Sequence, residues 1–474
     1  MTKPNKRLVF CFDGTSNTLE RDHPTNVAIT AAAVRNTSKT AAQIVYYDEG
    51  VGSTDKDNLM GGAFGAGLYE KVIEAYKFLV FNHEPNDEIF IFGFSRGAYT
   101  ARSFAGLIHH VGVVNSCFAD KIKVATALYE QRGRKDDDGT DVLRRFRSEF
   151  VTDICANEED REIRRAANAE FDAATPLVNI RYIGVWDTVK TIGSSVFGDR
   201  DRDGEVDAAA FHDHNLHPTV KAARHAVSID ERRKKFDVTL WDNVDELNRA
   251  AGFDLADPRR PYQQQWFPGG HGSVGGGGDI RGLSDEGLEW ILQGAKDAGL
   301  ALDTTTVSKI WGIKPDVLVQ LENSAELGWS PAEVAMRLLP KDTRDGPTLL
   351  HEISRAALVR WAAPADLLPE RKRYRPEALK DVAKLIDQAV DFQEWEYTTR
   401  GGYRDPSASV DDIELADGRR FRRHIVQSGQ DLSDVAQIAL GDQKRAVEIV
   451  NLNRTTLLDP ARLYVGQVLN VPAT

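Results

Sequence analysis

The 474 residues of this chain exceed what one simple core organises, so two or three domains are expected. With 41% hydrophobic and 28% charged residues the composition is globular, and a formal net charge of -12 excludes an extended basic surface for nucleic acid. The three scattered cysteines, Cys11, Cys117 and Cys155, exclude a disulfide framework or a metal knuckle and fit a reducing compartment.

The amino terminus, MTKPNKRLVFCFDGT, puts basic residues before an apolar run that Asp13 ends early. It predicts a first buried strand over 7–12 instead of a cleavable signal, and no stretch reaches the roughly eighteen apolar residues of a membrane span. The expected location is therefore the cytoplasm of the producing cell, and delivery to a periplasm or a target cell would need another route. The strand breaks at Asp13-Gly14-Thr15-Ser16-Asn17, a loop that a parallel sheet would place at its ligand-binding edge. A helix over 27–37, a strand over 43–47 ending at Asp48, and a helix over 68–82 follow. The glycines of LMGGAFGAGLYE, which begins at Leu59, lack the GxGxxG spacing and read as a close-packed loop.

Residues 87–97, DEIFIFGFSRG, then run an apolar strand directly into Gly93-Phe94-Ser95-Arg96-Gly97 ahead of a helical pattern. That order is what a nucleophile elbow requires: a strained serine at a strand-to-helix turn, flanked by glycines that let backbone pass closely. A helix-capping serine at an ordinary turn is the competing reading. Residues 120–174 are charged and mainly helical, and are expected to form an insertion above the sheet. The strand pattern resumes at 177–186 and ends in Asp187. Asp199, Asp201 and Asp203 before Gly204 match the first part of a calcium loop, but its twelfth position is Ala210, so a solvated acidic loop is preferred and calcium is the one candidate ion. His212, Asp213, His214 and His217 read as a surface cluster.

Residues 222–229 read as a helix and 262–267, YQQQWF, as a strand, followed by PGGHGSVGGGG with His271 between glycines. Residues 280–400 are mostly helical, clearest at 288–300 and 330–339. The last fifty residues read as strand, helix, helix, strand. The pattern predicts an α/β-hydrolase-like fold: a mostly parallel sheet with helical insertions, covering 1–300, with the insertion at about 120–174. A helical extension over 301–400, a linker or small hairpin over 401–422 and a small βααβ domain over 423–474 complete it.

An acyl-transfer site needs a nucleophile, a base, a group that orients the base and donors for the oxyanion. Ser95, His271 and Asp187 fill the first three roles in the chain order of α/β-hydrolases. The N–H of Arg96 is the first oxyanion donor, with the second expected from Gly14 or Thr15. Asp13 and Asp48 compete with Asp187 for the carboxylate role. No cofactor is required by this chemistry.

The segments RLVFCFDGTSN with Asn26, GFSRGAYTAR, GVWDTV, SIDERR and WFPGGHGSVGGG, in this order over about 7–280, resemble the α/β-hydrolase family that includes the type VI secretion phospholipase effectors of the first lipase class. The resemblance implies a serine and histidine at Ser95 and His271, a glycerophospholipid ester as substrate, and secretion-apparatus and immunity proteins as partners. Family members usually carry an acidic residue two places after the histidine, where this chain has Ser273, so the carboxylate stays open among Asp187, Asp13 and Asp48. Separately, HIVQSGQDLSDVAQ, IVNLN and YVGQVLNVP resemble a LysM domain over 423–473, which implies binding of peptidoglycan-type glycans. The leading expectation is a phospholipase, for which Phe197, Phe211 and the helices of 280–400 are, by position, the candidates to meet a membrane. An esterase acting on a non-lipid ester, and a peptidoglycan-binding scaffold with a decayed hydrolase site, are the alternatives.

Overall fold

The computed structural model describes residues 6–14, 17, 19, 22–38, 41–50, 63–130, 141–189, 215–233, 236–255, 257–323, 342–390, 410–414, 420–426, 430–453, 463 and 468–472. Two compact units partition the chain: 1–255 with 260–357 and 376–382, and 256–259 with 358–375 and 383–474.

In the first unit, β1 (Lys6–Phe12), β2 (Ala42–Asp48), β3 (Glu88–Phe94), β4 (Ile180–Trp186), β5 (Ala223–Ser228) and β6 (Tyr262–Phe267) form one six-stranded sheet in the order β2-β1-β3-β4-β5-β6. Every pairing is parallel. A parallel sheet is covered on both faces, which is why β1, β3 and β4 are continuous apolar runs in place of alternating ones. Leu8, Phe10 and Phe12 of β1 pack against Val72, Tyr76 and Leu79 of α2 (Ala63–Asn82) and Ala101 and Phe104 of α3 (Arg96–Val111). On the other face, α1 (Asn26–Ala33) and α9 (Gly282–Asp297) cover β1 and β4. The short helix α7 (Val244–Ala250) lies against β6. The chain thus has the α/β architecture expected, with all strands ending at one edge.

The segment 222–229, expected as a helix, is β5. Its alanines favour a helix locally, but parallel pairing with β4 on one side and β6 on the other holds the segment extended. Its polar His225 is accommodated because Thr188 N–H donates to Nε2 at 3.2 Å and Gln264 Oε1 lies 3.0 Å from Nδ1. The ring is therefore neutral with its proton on Nδ1, and burial, then Arg102, push its pKa down to about 3.

The described helices of the 120–174 segment are α4 (Ile122–Glu130), α5 (Val142–Phe150) and α6 (Glu158–Ala167). They do not lie over the strand ends. Arg147 Nη1 donates to the carbonyl of His110 at 2.6 Å and Asn157 Nδ2 to that of His109 at 3.0 Å, so they cap the carboxyl end of α3. Fourteen residues of helix put that end about 21 Å from Ser95. The buried carboxylate of Asp160 joins them by accepting from Arg147 at 2.9 Å and Arg164 at 2.7 Å.

The second unit contains an antiparallel sheet of β7 (Val410–Glu414), β8 (Arg420–Ile425) and β9 (Val468–Pro472). The helices Leu432–Leu440 and Ala446–Leu452 bury Leu432, Val435, Ala436 and Ile449 with Val426, Leu469 and Val471. Strand, two helices and strand occur in the order read from the sequence. β7 lies within the 401–422 stretch, read as a linker or small hairpin, and its antiparallel pairing with β8 is that of a hairpin.

Gly97, in the first turn of α3, fixes how closely that helix approaches β1. A Cβ there would fall 2.2 Å from the Phe12 carbonyl oxygen and 2.4 Å from that of Asp13. Both obstacles are backbone and cannot rotate aside. Gly97→Ala is expected to cost about 3 kcal/mol of unfolding free energy, read as a lower urea midpoint at unchanged m-value.

Candidate active site

Ser95 sits between β3 and α3 with φ 58° and ψ -123°, a conformation that costs an L-residue on the order of 1–3 kcal/mol. Its N–H donates to Trp186 O at 3.0 Å, while Val189 N–H donates to its carbonyl at 3.4 Å. The end of β4 therefore brackets the turn on both sides. The Ser95 hydroxyl makes no capping bond to α3, which removes the helix-cap reading of the motif.

Asp187 follows β4 directly, also at positive φ (39°), and is fully buried. Its Oδ2 lies 2.6 Å from His271 Nδ1. His271 opens the short helix α8 (His271–Gly275) and is only 7% exposed, so the glycine-rich loop is packed instead of permissive. Gly275 shows why glycine is required: a Cβ there would come within 1.9 Å of the Phe94 ring. That ring, one residue before Ser95, lies 4.6 Å from the imidazole, with Phe236 at 4.8 Å on another side. The histidine is thereby held beside the elbow, with Nε2 as the nitrogen not engaged by Asp187.

Outer contacts fix both partners. Asn26 donates to the carbonyls of Val274 and Ser284, each at 2.9 Å, anchoring α8. Glu231, from the SIDERR segment, accepts the His271 N–H at 3.3 Å and pairs with Arg233 at 2.6 Å. Ser228 N–H donates to Asp187 Oδ1 at 2.9 Å. Arg344 clamps the same carboxylate, with Nη1 on Oδ1 at 2.7 Å and Nη2 on Oδ2 at 3.1 Å. Burial raises the pKa of Asp187, but Arg344 and His271 outweigh it and hold the carboxyl well below the usual range. Burial lowers that of His271 against the opposing pull of Asp187, which keeps the imidazole neutral and able to accept a proton.

The other carboxylates considered from the sequence are occupied elsewhere. Asp13 accepts from Thr25 Oγ1 at 2.6 Å, Tyr47 OH at 2.7 Å and Gly14 N–H at 2.6 Å. The Gly14 N–H, expected as an oxyanion donor, is therefore engaged by the Asp13 carboxylate. Asp48 pairs with Lys71 at 2.5 Å, and burial pushes its pKa up to about 6. Ser273, two places after His271, donates to Leu321 O at 2.6 Å. Arg96 begins α3 beside Ser95, in the turn whose N–H groups point out of the helix end. Thr15, Phe197, Phe211, the Asp199-Asp201-Asp203 loop and His212 to His214 lie outside the described residues.

His217 does gather with His109 and His110, their ligand-capable nitrogens within 4.8 Å of one another at the far end of α3. The His109 and His217 rings are stacked, 4.1 Å apart at 10°. That is a packing arrangement, since metal-binding lone pairs lie in the ring planes. Ser228 opens the SIDERR segment, whereas Arg344 carries no motif in the sequence, and only three-dimensional proximity identifies it.

Residues 6–294, more than half of the chain, match the family model described as the type VI secretion system phospholipase effector Tle1-like catalytic domain. The uncharacterized protein YEL023C of Saccharomyces cerevisiae is 28% identical over 246 residues, 49% of this chain and 32% of that protein. The chain thus spans about a third of that relative's length. Among solved structures, the Tle1 effector bound to the VgrG spike of the type 6 secretion system is similar at TM-score 0.35 and 14% identity, over 70% of this chain and 84% of that one. An uncharacterized protein from Pseudomonas aeruginosa is similar at TM-score 0.36 and 16% identity, over 98% of this chain and 75% of that one.

Asp187→Asn would leave Arg344 buried beside a neutral amide. The variant is expected to lose about 3–5 kcal/mol of stability at pH 7. The folded carboxyl titrates below its unfolded value of about 3.9, so this contribution is complete above that value and is lost as pH falls through the folded one. Urea unfolding at pH 3 to 7 should show the gap between wild type and variant narrowing below about pH 4.

Proposed function

The chain belongs to the Tle1-like type VI secretion phospholipase effectors through residues 6–294, and from that premise we propose that it is a serine esterase cleaving glycerophospholipid esters with Ser95, His271 and Asp187. The observation that carries this reading is the 2.6 Å contact between His271 Nδ1 and Asp187 Oδ2 beside a serine at positive φ. His271 Nε2 takes the Ser95 proton as Oγ adds to the ester carbonyl, and the carbonyl oxygen becomes the oxyanion against the Arg96 N–H. The tetrahedral adduct collapses to an acyl-serine, and the lipid alkoxide leaves with the proton from His271. Water, deprotonated by His271, then adds to the acyl carbonyl, and the fatty acid departs as Ser95 regains its proton. No helix among the described residues is long and apolar enough to cross a membrane.

We also propose that residues 423–474 are a LysM-like unit that binds peptidoglycan-type glycans. What supports this is the order β8, two helices, β9 around a separate small core. We further propose an antibacterial role with an immunity protein as partner, and a type VI secretion apparatus as the route into a target cell, which the family supports.

Ser95→Ala is expected to lower hydrolysis of phosphatidylcholine vesicles and of p-nitrophenyl butyrate at least about 10³-fold and to abolish fluorophosphonate labelling. Wild-type rates in that variant would overturn the mechanism. Loss of the soluble ester alone, with no lysolipid or fatty acid released from vesicles by wild type, would overturn the lipid assignment. In sedimentation with purified peptidoglycan, the Ser95→Ala chain should pellet, and a chain lacking 423–474 should remain in solution.

A further inference from the structure

We propose that Arg344 is a positioning residue for ester cleavage: its fork locks the orientation of Asp187 and partly neutralises the charge that Asp187 presents to His271. The proposal rests on the reading of Ser95, His271 and Asp187 as a triad. Four donors share the two carboxylate oxygens, Ser228 N–H and Arg344 Nη1 on Oδ1, His271 Nδ1 and Arg344 Nη2 on Oδ2. The guanidinium is itself fixed, because Nη1 also donates to Ser228 Oγ at 2.6 Å and Ser228 O at 3.1 Å, and Nη2 donates to the Phe236 carbonyl. The Arg344 side chain is 5% exposed, so its charge is little screened by solvent.

A triad carboxylate has two tasks, orienting the imidazole and stabilising the imidazolium that forms during reaction. A bidentate guanidinium strengthens the first and weakens the second, because part of the carboxylate field now terminates on a cation. The second acid near His271 is arranged alike: Glu231 accepts the backbone N–H of His271 and is paired behind with Arg233. Beyond Asp187, His225 is neutral. The charged groups facing the imidazole are thus two carboxylates, each matched by an arginine on its far side. His271 consequently remains an unprotonated base to lower pH than an unpaired Asp187 would allow.

The test follows the His271 imidazole by nitrogen-15 NMR titration in the full-length Ser95→Ala chain, assigned with His271→Gln. Adding Arg344→Met removes a buried positive charge and is expected to raise the His271 pKa by about one unit. Arg344→Gln, which retains a hydrogen-bond donor, should do the same and serves if the methionine variant does not fold. An unmoved titration in the folded variants would overturn the proposal and leave Arg344 as a structural anchor. In the active chain, the acid limb of kcat/KM on p-nitrophenyl butyrate should move up equally in Arg344→Met. Arg344→Lys should keep the limb near its wild-type position while kcat falls roughly tenfold with little change in KM. If Ser95→Ala retains esterase activity, the triad reading fails, whereas the titration still decides whether Arg344 governs His271.

Discussion

One buried carboxylate ties the site together. Asp187 is fully buried, so its charge is tolerable only because backbone, imidazole and guanidinium donors converge on it from three parts of the chain. Those donors come from the end of β5, the start of α8 and the segment near residue 344. The residue itself hangs from the end of β4, next to the serine turn. Satisfying this one charge therefore fixes the relative placement of loops that are remote in sequence, and the proposed chemistry uses the geometry that results.

The parallel sheet makes such convergence possible. Its six strands end at one edge, and each functional segment is the first few residues beyond a strand: Asp13 after β1, Ser95 after β3, Asp187 after β4, Glu231 after β5 and His271 after β6. The polar groups at this edge are sorted into separate networks. Asp13 collects Thr25 and Tyr47, whereas Asp187 collects His271 and Arg344. Two acids at the ends of strands in one sheet thus have different partners, and only one of them meets the imidazole.

Much of this was legible in the sequence. β1, β3 and β4 could be read because burial on both faces demands unbroken apolar runs, and Ser95 because its turn demands glycine at fixed offsets. β5 could not be read locally, since ARHAVS carries alanines that favour a helix and a histidine whose partners, Thr188 and Gln264, are distant. The place of the 120–174 helices was equally hidden: their docking depends on Arg147 and Asn157 reaching carbonyls at the end of α3. Asp187 became distinguishable from Asp13 and Asp48 only through contacts, because all three follow strands with similar apolar patterns. Arg344 lies 157 residues from its partner in a polar stretch with no periodicity, so no local rule could select it.

Arg344 lies beyond residue 294, where the family match ends, yet it belongs to the same compact unit as the sheet. A fragment trimmed to the region of sequence similarity would retain the serine, the aspartate and the histidine while discarding the cation that balances the aspartate. Homology boundaries record which residues are shared among relatives, whereas electrostatic neutrality sets which residues must travel together. For this chain the transplantable module is therefore longer than its recognisable signature.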